Sequence, residues 1–185
     1  MGTFLVDGKG KGNKAEVSAH NQLEVNASNR SMMAYISKES QKAYSIYGRR
    51  NFAAASTDEG ILYFEYTGDD NFYIDSVIVT GNGSNSKIEL FTDSVYVSGG
   101  TVVTPINMNR ASGLVLSATA YTGATDLSVT KGSNEIVDVR FGIDSATIKF
   151  DTSLILGRGN NIYILGEVST IGDKIRAMIL GYEDH

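Results

Sequence analysis

Cysteine and tryptophan are absent from this 185-residue chain, proline occurs once, and histidine only as His20 and His185. Without cysteine there is no disulfide framework, no thiolate zinc site and no thiol nucleophile. Two histidines so far apart argue against a multi-histidine metal centre. No apolar run approaches the roughly 18 to 20 residues that span a bilayer, so no membrane partner is expected. Residues 1–6 are too short for a signal-peptide core, and the chain reads as soluble and made in cytoplasm. Excess positive charge is missing too. A formal net charge of −5 leaves no surplus of cations to displace counterions from a phosphate backbone, which argues against direct nucleic-acid binding.

What is present is a two-residue hydrophobic period. In Val137-Asp138-Val139-Arg140-Phe141-Gly142-Ile143 the odd positions are apolar while Asp138 and Arg140 face the other way, as in a sheet wetted on one side. Similar runs occupy 61–66, 72–79, 87–91, 94–97, 114–121, 146–150, 161–165 and 174–182, separated by Gly, Asn, Asp and Ser. This spacing predicts an all-β antiparallel sandwich or barrel over 61–185. Pro105 has no N–H to give to a ladder and predicts an edge strand or an extended connection. Residues 26–60 have no clear period and read as an irregular linker with one or two helical turns within 32–44.

The first 25 residues differ from the rest. Gly2, Gly8, Gly10 and Gly12 are entropically costly to order, and Phe4, Leu5 and Val6 form the one apolar cluster there. The segment reads as an extended arm completed by a neighbour. Phe4, Leu5 and Val6 are placed to add a strand to another subunit's sheet edge. Lys9, Lys11 and Lys14 either face an acidic partner or simply keep the arm soluble.

Catalytic motifs fail on context. Gly10-Lys11-Gly12-Asn13-Lys14-Ala15 matches the dinucleotide fingerprint, but no adequate strand precedes it and no run of helix formers follows. No Gly-x-Ser-x-Gly elbow occurs, and the loop aspartates fall in no calcium-loop register. Most of the ten tyrosines lie in or beside predicted strands, where sheet packing accounts for them. No catalytic residue, metal or cofactor is expected.

Two segments together carry a resemblance. Asp7-Gly8-x-Gly10-x-Gly12-Asn13-x-Ala15-x-Val17 with Asn21-x-Leu23, followed by Pro105-x-Asn107-x-Asn109-Arg110-x-Ser112, is similar to a family of small virion structural proteins of tailed bacteriophages. These are jelly-roll head decoration, or cement, proteins. The resemblance implies a jelly-roll-like antiparallel β-sandwich with an extended N-terminal arm (1–25), a linker (26–60) and a sandwich domain (61–185). It implies a non-enzymatic protein, made in the host cytoplasm, that binds and stabilises the outer surface of the phage head. The partner is then the major capsid protein, and the oligomer favoured is a homotrimer, whose arms reinforce one another by effective concentration. Asn107, Asn109, Arg110 and Ser112 read as a hydrogen-bonded structural loop in preference to a subunit contact, because Asn and Ser satisfy backbone groups locally. The alternative is a virion-displayed sandwich that recognises carbohydrate or a host.

Overall fold

The computed structural model describes the backbone of residues 5–6, 14–17, 23–24 and 32–184, apart from 56, 124–125 and 144. Residues 1–31 and 32–185 form separate units. In the first, β1 (Leu5–Val6), β2 (Lys14–Val17) and β3 (Leu23–Glu24) make a three-stranded antiparallel sheet with β2 in the middle. Leu5 lies opposite Ala15 and Val6 opposite Lys14. One side of β1 is therefore paired within the unit itself. Phe4, Lys9 and Lys11 lie outside the described residues.

The second unit begins with helix α1 (Met32–Glu39) and continues through β4 (Ala43–Asn51), β5 (Glu59–Tyr66), β6 (Asn71–Gly81) and β7 (Ser86–Thr92). An excursion follows: β8 (Val95–Ser98), β9 (Thr101–Val102), β10 (Ile106–Asn107), β11 (Ala118–Thr122) and β12 (Ser128–Thr130). The chain then closes with β13 (Asn134–Phe141), β14 (Ser145–Leu156), β15 (Asn161–Val168) and β16 (Lys174–Asp184).

All ladders are antiparallel, and the sheet orders are β10-β4-β16-β6-β14 and β13-β7-β15-β5-β11-β9. Without the excursion, the four strands β4-β16-β6-β14 face β5-β15-β7-β13, which is jelly-roll topology. Ile46, Ile61, Phe64, Phe72, Ile74 and Ile179 are fully buried in the core cluster shared by strands of both sheets.

The sandwich starts earlier than the sequence reading places it. Residues 43–51, assigned there to the linker, form β4, paired with β16 along its whole length from Ala43↔Tyr182 to Asn51↔Lys174. Its alternation is real but muted: Ala43, Tyr44, Ile46 and Gly48 are buried, and the run includes small Ser45 and two arginines. At Gly48 a Cβ would stand 2.7 Å from the Leu62 Cβ and 2.8 Å from the Ile61 carbonyl oxygen. The close passage of β4 over β5 requires glycine there, and this breaks the apolar pattern. Likewise 114–117 is not strand, and only Ala118–Thr122 pairs with β5.

Pro105 lies between β9, the outer strand of one sheet, and β10, the outer strand of the other. The excursion thus crosses from sheet to sheet on one side of the sandwich. The two-stranded ladder β8–β12 covers the outer face of the six-stranded sheet, where Tyr63, Phe91, Leu127, Tyr163 and Leu165 form a second buried cluster.

Candidate functional site

The second cluster is built on a transverse row of rings. Register sets Tyr121 opposite Tyr63, Tyr63 opposite Tyr163, and Tyr163 opposite Phe91, across β11, β5, β15 and β7. Tyr96 of β8 stacks on Tyr121 with centroids 4.2 Å apart and planes 7° apart. It also lies 5.8 Å from Tyr63. Such offset ring pairs add to ordinary burial. Tyr63, Tyr66 and Tyr163 are buried, and Tyr73, Tyr96 and Tyr121 half-buried, so these rings act in packing.

Beside Tyr163 lies an opening of about 480 Å³, bounded by Arg50 of β4, Asp58 to Gly60 at the start of β5, Asp126 to Val129, and Lys131. Arg50 donates through Nε to Glu59 and through a terminal nitrogen to the Gly123 carbonyl oxygen at 2.8 Å. Its other terminal nitrogen is 3.9 Å from Asp126. Lys131 donates to Asp58 at 2.7 Å and stands 5.4 Å from the Phe91 ring centroid. Thr122 Oγ1 accepts from the Arg49 N–H at 2.7 Å, tying β11 to the edge of β4.

Phenol protonation follows from this burial. The Tyr163 hydroxyl is pushed up to about 12 by desolvation and then by the Asp58 charge, with Arg50 opposing. Tyr44 rises to about 12, again by desolvation first and Glu183 second. Tyr63 and Tyr66 rise as well, through desolvation and then hydrogen bonds to Glu65 and Glu183. The folded state therefore keeps protons that an unfolded phenol releases near pH 10. Protons bound in excess by the folded state mean stability falls as pH rises, so this contribution is present below pH 10 and lost as pH rises through about 12. Urea titrations across that interval should show a falling unfolding free energy. Tyrosinate absorbance from these four groups should appear together with loss of the sheet signal in circular dichroism.

Several acidic residues outside this opening are paired with cations. Asp69 accepts from Arg158 at 2.7 Å and Asp70 from Lys42 at 3.3 Å. Carboxylates of Glu89, Glu135 and Asp138 approach one another within 4.8 Å, but Lys87 reaches in to Glu89 at 2.9 Å and to Asp138 at 3.7 Å. That ammonium, with Lys131 3.9 Å from Glu89, offsets part of the cluster's negative charge.

The 107–112 loop is tied to its surroundings. Asn107 Nδ2 donates to the Gln41 carbonyl at 2.8 Å, Asn109 Nδ2 to the Ser37 carbonyl at 3.0 Å, and Ser112 Oγ accepts from Leu114 N–H at 3.1 Å. These bonds fasten the loop to α1 and to the turn before β4. Arg110 is exposed and makes no ion pair among the described residues. Leu5, Val6 and Lys14 lie in the separate N-terminal sheet.

Sequence reading missed Arg50, Asp58, Lys131 and Tyr163. A signal was there: residues 161–165 contain Ile162-Tyr163-Ile164-Leu165 with no polar alternate, the mark of a strand buried on both faces. No family model, no curated protein and no solved structure matches the chain.

Proposed function

We propose that this protein is a non-enzymatic decoration protein of a tailed-bacteriophage head, binding the outer surface of the shell as a homotrimer. The observation that carries the assembly reading is the apolar surface of the sheet-crossing excursion. Val102 is 71% exposed and Val115 74%, and both line a groove with Pro105 and Leu116. Ile106, Met108 and Leu114 are exposed on the same stretch of chain. Apolar side chains grouped in this way mark association surfaces more often than chance scatter does. Hydrogen bonds at Asn107 and Asn109 hold the stretch in place before any partner arrives, which lowers the ordering entropy of docking. The resemblance of the glycine-rich first 25 residues and of the 105–112 loop to cement proteins supplies the identity of the shell.

Two measurements test the reading. Sedimentation velocity should give a trimer, and Val102→Asp with Val115→Asp should convert it to monomer without lowering the melting temperature, since both side chains are solvated. Co-sedimentation with purified empty expanded heads should saturate, and removal of residues 1–25 should abolish it. A wild-type monomer with no affinity for shells would overturn the proposal.

A further inference from the structure

We infer that the opening beside Tyr163 is a binding site for a neutral saccharide. Tyr163 is 2% exposed, yet its hydroxyl has no hydrogen-bond partner among the described residues, although the side chain lines the opening. Among the described residues the fully enclosed side-chain atoms without a partner are Ser86 Oγ and Asp173 Oδ2, so the Tyr163 hydroxyl, on an otherwise buried ring, is accessible from the opening. Gly60 keeps the approach to it clear: a Cβ at position 60 would stand 2.8 Å from the hydroxyl oxygen and 3.1 Å from the Leu127 side chain.

The lining selects the ligand's chemistry. Asp58, Glu59 and Asp126 are set against Arg50 and Lys131, so the fixed charges nearly cancel. An anion would meet three carboxylates, and a cation the guanidinium and the ammonium. The two cations are already committed, Arg50 to Glu59 and Gly123, Lys131 to Asp58. What remains on offer is acceptor capacity, on Asp58 and on the fully exposed Asp126, together with the Tyr163 hydroxyl, which can donate or accept. A ligand with several uncharged hydroxyls matches that set. Leu127, Val129 and Leu165 supply an apolar wall for the C–H face of a pyranose ring. A volume of about 480 Å³ lies within the range of small-molecule sites. The inference does not rest on the shell-binding reading, and the two fail separately.

The test uses the full chain and saturation-transfer NMR, followed by calorimetry, with the methyl glycosides of glucose, galactose, mannose and N-acetylglucosamine and with maltose, lactose and cellobiose. At least one should bind saturably. Tyr163→Phe removes only a hydroxyl that holds nothing else, and Asp126→Asn alters a side chain in full contact with solvent, so both variants should melt as wild type does. Each should weaken binding about tenfold. Glucuronate and glucosamine should bind less tightly than glucose. Absence of saturable binding to every glycoside, unchanged affinity in both variants, or preference for a charged sugar would each overturn the assignment.

Discussion

Replacing Phe72 by alanine should lower the unfolding free energy by about 4 kcal/mol, a drop of roughly 10 °C in melting temperature for a domain of this size. Phe72 is wholly buried, with its ring 5.3 Å from that of Phe64 and 5.6 Å from that of Tyr66. Across the ladder the ring packs on Gly181, where a Cβ would come 2.6 Å from the Phe72 Cε1. That neighbour has no side chain to swing into the space left behind, so nothing fills the cavity from that side. Phe72→Leu keeps most of the volume and should cost about 1.5 kcal/mol. Urea denaturation of the three proteins at neutral pH measures both values; equal stability of Phe72→Ala and wild type would show that the ring does not hold the sheets together.

Gly123→Ala should cost about 3 kcal/mol, the upper end of what overpacking does. A Cβ at that position overlaps the backbone carbonyl oxygen of Gly60, which no rotamer change relieves. Gly123 also donates its N–H to the Ile61 carbonyl at 2.8 Å and receives Arg50 on its own carbonyl, so the backbone is held from both sides. Moving it away parts β11 from β5 and shifts Gly60 beneath the Tyr163 opening. Thermal denaturation should reveal the loss, and hydrogen exchange should place the faster amides in Ala118–Thr122. A variant that melts with wild type would mean that the two backbones are free to separate.

The strands with a clean alternation are legible in the sequence alone. Val137, Val139 and Phe141 lean against the main core while Asp138 and Arg140 point outward, as their spacing predicts, but β13 ends at Phe141 and Ile143, expected on the same apolar face, is 70% exposed. Lone Pro105 marked a strand boundary at the sheet margins for a local reason, its missing N–H. β4 escaped notice because its packing depends on Gly48, whose role is to be small beside Leu62. Hydrophobicity does not report that property. The opening beside Tyr163 was hidden for a different reason: Arg50, Asp58, Asp126 and Lys131 meet only through strand pairing and the covering β8–β12 ladder, neither of which local sequence encodes. The unbroken apolar run around Tyr163 did carry the information that something covers the outer face, without saying what.

The pairing of β4 and β6 with β16 places the eighth strand of the jelly roll between its first and third. A nascent chain halted before Lys174 therefore holds β4 and β6 with nothing between them, and their facing ladder groups stay open to any passing strand. Closure of this sheet waits for β16, and most of the contacts join distant parts of the sequence, a topology that folds slowly. Until β16 docks, apolar surface and two unpaired strand edges stay exposed, and unfinished copies are open to aggregation.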